Sequence, residues 1–258
     1  AVKTVMTTDP KFIPKEDVEV LFEDGVHFKC RMIDCVGYMV QGAEGHEEDG
    51  RERLVKTPWF DYDIPFTKAA EIGTKKVIYD HSTVGIVVTC DDTVSELDRS
   101  AYIQPETQTI QELKSIGKPF IVILNTRKPS SPETIALADE LQQAYGVAVL
   151  PVNCDQLRKA DVVHIFEALL LDFPVTCVRF RIPKWVEALE LKDEIKDRIV
   201  KSAAEMFASM RLMKDAAEYE FVQDEYLESV RMQELNLADG SVEIEMVLKP
   251  EYYYTMLS

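Results

Sequence analysis

Pro119-Phe120-Ile121-Val122-Ile123-Leu124-Asn125 is an apolar run without alternation, preceded by Gly117-Lys118 and followed by Thr126-Arg127. A strand that is apolar at successive positions has both faces covered, which is the mark of a parallel sheet. Two more short apolar runs flank it, Val84-Gly85-Ile86-Val87-Val88-Thr89 and Val147-Ala148-Val149-Leu150-Pro151-Val152. Amphipathic stretches follow each run, and the spacing predicts helices over 105–116, 132–145 and 160–171. Strands that alternate with helices in this way predict an α/β layer fold with a mainly parallel sheet. Gly117 and Gly146 fall where helix C-caps are expected.

Outward from this centre the pattern changes on both sides. Beyond Phe173-Pro174 an alternating strand is expected over 175–182. A long helix is expected over 192–217, with Ile195, Ile199, Ala203, Met206, Met210 and Met213 on one face. Another strand is expected over 241–248, where Val242, Ile244, Met246 and Leu248 alternate with other residues. This predicts a smaller α+β domain at 174–258 after an α/β domain at 1–173. Upstream, strand-like runs over 16–24 and 27–34 are joined by Asp24-Gly25, a hairpin signal. Residues 41–53 read as a polar, mobile loop. Residues 65–79 read as a helix.

The composition narrows the classes of function. A chain of 258 residues with 46% hydrophobic residues is long enough for one large or two small cores. A net charge of -17 argues against a nucleic-acid partner, because phosphate backbones are bound by clustered Lys and Arg. Five scattered cysteines without a Cys-x-x-Cys pair argue against zinc and a disulfide framework, and favour reduced thiols. No apolar run approaches the roughly 18–20 residues of a transmembrane helix. No signal peptide is legible. A start at Ala1 inside a switch-like segment reads as an internal piece of a longer protein.

Candidate chemistry lies mainly at strand ends. Asp34-Cys35-Val36-Gly37 closes the run His27–Asp34, with Thr7-Thr8 upstream. In nucleotide switches an Asp-x-x-Gly and a threonine flank Mg²⁺ and the γ-phosphate. The Asp holds a metal-bound water, and the Gly N–H meets phosphate with no Cβ in the way. No Gly-x-x-x-x-Gly-Lys-Ser/Thr precedes them. A guanine reader, Asn-Lys-x-Asp, belongs after the Pro119 strand, and this chain has Asn125-Thr126-Arg127-Lys128 there. A lysine cannot accept hydrogen bonds from guanine, so guanine selectivity should be lost. His46-Glu47-Glu48-Asp49 reads as a solvated acidic loop before a metal site, and the Met-rich helix face as core before an interaction surface.

Several longer blocks carry a family resemblance. Met6-Thr7-Thr8-Asp9-Pro10-Lys11-Phe12, Asp34-Cys35-Val36-Gly37-Tyr38 and Lys56-Thr57-Pro58-Trp59-Phe60 resemble the stage IV sporulation protein A family. So do residues 69–78, His81-Ser82-Thr83-Val84-Gly85, Gly117-Lys118-Pro119-Phe120, Phe173-Pro174-Val175 and Ile182-Pro183-Lys184-Trp185-Val186. The resemblance implies a P-loop NTPase-like fold, related to translation-factor GTPases, of which this chain lacks the first strand and P-loop. It implies an ATPase whose hydrolysis drives polymerisation of the spore coat's basement layer on the forespore outer membrane, on the cytoplasmic, mother-cell side. The implied partners are further copies of the chain, other coat proteins and a small amphipathic membrane-anchoring protein.

By resemblance Asp34 takes the Mg²⁺-linked Walker B role, and Thr7 and Thr8 are the sensing threonines. Thr8 shares the metal, while Gly37 and Asn125 contact ATP. Without a P-loop, residues 1–258 alone are expected to bind ATP weakly and not to turn it over. The competing expectations are a non-catalytic scaffold of the coat and an ordinary GTPase-like switch.

Overall fold

The computed structural model describes residues 11–21, 27–48, 50–190, 192–222 and 225–257. The Asp24-Gly25 turn expected from sequence lies outside the described residues. The chain passes from one compact unit to another between Leu169 and Leu170.

In the first unit, β1 (Lys11–Leu21) pairs with β2 (His27–Asp34) as a two-stranded sheet. The segment read as a polar, mobile loop contains a short antiparallel ladder, β3 (Glu47–Glu48) with β4 (Arg51–Glu52). It is tied down on either side: His46 Nδ1 lies 2.8 Å from the Ala43 carbonyl, and Arg53 donates to Gly45 O at 3.3 Å. β5 (Leu54–Thr57) and β6 (Phe60–Pro65) form an antiparallel hairpin leading into α1 (Phe66–Lys76). A π-helical turn, Val77–His81, ends that helix. The Lys118 ammonium donates to the carbonyls of Ile78, Tyr79 and Ser82 there, satisfying acceptors that a helix end leaves open.

The sheet at the centre of this unit is β7 (Gly85–Cys90), β8 (Phe120–Asn125) and β9 (Val149–Val152), in that order and parallel throughout. Its crossovers are α2 (Arg99–Ser115) and α3 (Pro132–Tyr145), and α4 (Lys159–Leu171) follows β9. The parallel three-strand sheet expected from the apolar runs is present. β8 is buried from Phe120 to Leu124. Val87, Val122 and Val149 are aligned by the register and share one core with Ile110, Leu113, Ala138 and Leu141. On the opposite face Ile121 and Ile123 are covered, while Ile86 and Val88 of β7 remain 38% and 58% exposed.

One crossover helix differs from the sequence expectation and the other matches it. α2 begins six residues before Pro105, because Asp92 accepts the Arg99 N–H and Asp98 O accepts the Ala101 N–H, which closes a first turn upstream. α3 follows the local code: Ser131 caps it by accepting Thr134 N–H at 3.2 Å, Pro132 opens it, and Gly146 ends it in the left-handed conformation at φ 64°.

The second unit begins with β10 (Cys177–Arg181) and the short α5 (Lys184–Glu187). The long helix expected over 192–217 is two helices, α6 (Glu194–Ser209) and α7 (Met213–Ala217). Residues 210–212 leave the helix to pair with the segment after Leu170. Val175 N–H donates to Arg211 O, Met213 N–H donates to Phe173 O, and Asp215 caps Leu212 N–H at 2.8 Å. Met206, Met210 and Met213 are buried in the same core on both sides of the break. β11 (Leu227–Asn236) and β12 (Ser241–Leu248) complete a sheet of order β10-β12-β11, parallel between β10 and β12 and antiparallel between β11 and β12. Val242, Ile244, Met246 and Leu248 face the core. α8 (Pro250–Leu257) holds the tyrosine run, with Tyr253 against Trp185 and Tyr252 against Tyr226.

Candidate functional site

Asp34 stands exposed at the carboxyl end of β2. The chain then leaves regular structure and turns at Gly37, whose φ of 80° is left-handed; nothing lies within 4 Å of where a Cβ would stand. Glycine is needed here for its backbone angle and not for room. The open space also suits close approach by a ligand oxygen. The Cys35 thiol is pushed above its usual range, first by burial against its neighbours and then by the Asp34 charge; the Gly37 N–H and the Thr74 hydroxyl oppose this. Thr7 and Thr8 lie outside the described residues.

A second group of loops gathers at the carboxyl ends of β7, β8 and β9. Asp91 is buried, and its Oδ1 accepts the Thr93 N–H at 2.9 Å and the Thr93 hydroxyl at 2.5 Å. Thr93 Oγ1 accepts the Arg127 N–H at 2.9 Å, and Thr126 Oγ1 accepts the Lys128 N–H at 3.0 Å. Asn125 Oδ1 accepts the Cys154 N–H at 3.0 Å, while its backbone carbonyl accepts the Asp91 N–H at 3.2 Å. The Cys90 thiol is pushed up by burial and by neighbouring Cys154. Asn125 thus joins the exits of all three strands. Arg127 and Lys128 are both exposed.

Sequence reasoning missed the support beneath these loops. Arg99 meets Glu106 in a two-pronged pair at 2.7 and 2.8 Å, with the Glu106 side chain only 1% exposed. Tyr145 of α3 donates to the same carboxylate at 2.5 Å, and Arg99 also reaches Thr89 of β7 at 3.4 Å. Burial first, and Glu106 next, push the Tyr145 phenol upward. The one local signal was the Arg-Glu spacing of seven on a helix, two turns apart.

Among the described residues no group of three or more His, Cys, Asp or Glu is arranged to hold a metal ion. A lone exposed carboxylate such as Asp34 fits a Mg²⁺ that arrives with nucleotide phosphates, since that ion keeps several waters and takes one or two protein carboxylates. All five cysteines are free thiols. No described helix is long and apolar enough to cross a membrane.

A parallel sheet with helical crossovers and polar loops at the carboxyl ends of its strands is a ligand-binding arrangement of α/β domains, and here it is consistent with a P-loop NTPase-like ATPase. Residues 1–174 match the family model described as the ATPase domain of stage IV sporulation protein A, and residues 175–258 match that of its middle domain. The chain belongs to the stage IV sporulation protein A family. It is 45% identical over 257 residues to stage IV sporulation protein A of Clostridioides difficile (strain 630), 38% to that of Bacillus subtilis (strain 168) and 36% to that of Bacillus anthracis. Each comparison covers 99% of this chain and 52% of the relative, so the chain spans about half the length of the curated relatives it matches. No solved structure matches it.

Proposed function

We propose that this chain is the part of a spore coat assembly protein in which ATP hydrolysis drives polymerisation of the coat's basement layer. The layer lies on the forespore outer membrane, facing the mother-cell cytoplasm. Its contacts are further copies of the chain, other coat proteins and a small amphipathic membrane-anchoring protein. ATP with Mg²⁺ is the nucleotide. Asp34 carries the Walker B role, and Thr7 and Thr8 sense the γ-phosphate, with Thr8 on the metal. The Gly37 N–H faces phosphate, and Asn125 lies at the base end. The ATPase-like domain is 1–173 and the middle domain 174–258.

The observation that carries this reading is an exposed Asp34, followed by Gly37 at positive φ, within a match to an ATPase-domain family. The Lys128 ammonium supports ATP over GTP. The same reading assigns a strand from outside residues 1–258 to the outer edge of β7. Supporting it, Ile86 and Val88 are exposed on a strand that, among the described residues, pairs with β8 alone. Sedimentation of the full-length protein with ATP or a non-hydrolysable analogue tests the assembly role. Pelleting with ATP and not with the analogue is expected, and equal pelleting in both refutes it.

A second reading has one observation in its favour. These 258 residues contain no Gly-x-x-x-x-Gly-Lys-Ser/Thr, the loop that supplies most phosphate-binding N–H groups. As a separate polypeptide they would serve as a non-catalytic scaffold. Calorimetry of residues 1–258 is expected to give ATP affinity weaker than about a millimolar, a binding free energy smaller than about 4 kcal/mol.

A further inference from the structure

We propose that Tyr38 is a positioning residue, latching the Asp34–Gly37 loop to α2 through Glu112. The proposal rests on the reading of that loop as the phosphate side of the site. Residues 35–40 form no strand or helix, and the loop's place depends on what its side chains hold. Tyr38 follows Gly37 directly, and its hydroxyl donates to Glu112 Oε2 on α2, 74 residues further along the chain.

Glu112 is a strong anchor because it is itself held. Its side chain is 16% exposed, and Lys75 of α1 lies 3.9 Å from its other oxygen while bonding Glu71 at 2.8 Å. One loop and two helices therefore meet at one carboxylate. Burial, and then the Glu112 carboxylate, push the Tyr38 phenol far above its ordinary range, so the hydroxyl stays a donor. Loss of this bond frees the residue next to Gly37 and removes the loop's side-chain tie to α2. A displacement of about 1 Å in a reacting array lowers turnover by up to about 100-fold.

Three variants of the full-length protein test the latch by amide deuterium exchange and ATP turnover. Tyr38→Phe and Glu112→Ala are expected to speed exchange over residues 35–40 while peptides from Phe120–Asn125 keep theirs, and to lower turnover roughly 10- to 100-fold. Glu112→Gln keeps an acceptor and should stay near wild type in both. Unchanged exchange at 35–40 in Tyr38→Phe overturns the latch. A rise across β8 as well overturns it in favour of a general packing role. Faster loop exchange with wild-type turnover overturns the positioning role. An Asp34→Ala control separates the failures: if it abolishes turnover, only the latch has failed, whereas wild-type turnover there fells the phosphate-side reading itself.

Discussion

Arg99 and Glu106 form a pair that neither partner can leave cheaply. Removing one side of a buried, hydrogen-bonded ion pair strands the other charge in a poorly solvated place, at about 3–5 kcal/mol. Arg99→Ala should therefore lower the unfolding free energy by about that much in urea melts. A change under about 1 kcal/mol would mean that water reaches Glu106. Two phenols add a pH signature. Tyr38 and Tyr145 are both held above the ordinary tyrosine range. Their contribution to stability is thus complete below about pH 10, the unfolded tyrosine value, and is lost as pH rises toward the folded values. Denaturation midpoints should fall between pH 9.5 and 11 (about the unfolded tyrosine value), and a Tyr145→Phe variant should fall less steeply. Lys128→Asp restores an acceptor where the ammonium stands, and should raise GTP use relative to ATP in competition assays.

At the scale of elements, the local code and the tertiary context separate cleanly. α3 is written almost entirely in its own residues, and Ser131→Ala should cost about 1 kcal/mol by removing its cap. Gly146→Ala should cost about 1–2 kcal/mol, because a Cβ is forced into the left-handed region. The strands β7, β8 and β9 were equally legible, since continuous apolar runs need no partner to be recognised. β11 was not. Register shifts between Leu227 and Ser229, and again between Met232 and Glu234, break the alternation that marks a strand. The break between α6 and α7 was invisible for the opposite reason: Met206, Met210 and Met213 keep helical spacing because both helices face one core. In the site, Asp34 to Gly37 could be read because the motif is local. The Tyr38–Glu112 bond, the Lys118 cap and the Tyr145–Glu106 bond join segments far apart in the chain, and no short pattern encodes such contacts.

At the scale of the whole molecule, the described strands of the first unit form four separate sheets, three of them two-stranded, and a mixed three-stranded sheet builds the second. On the proposed reading the loop at the end of β2 is the phosphate side of a sporulation ATPase. Steady-state ATP turnover of the full-length protein carrying Asp34→Ala tests it most directly. A loss of about 100-fold or more, with the fold intact by circular dichroism, is the predicted result; turnover equal to wild type would contradict it.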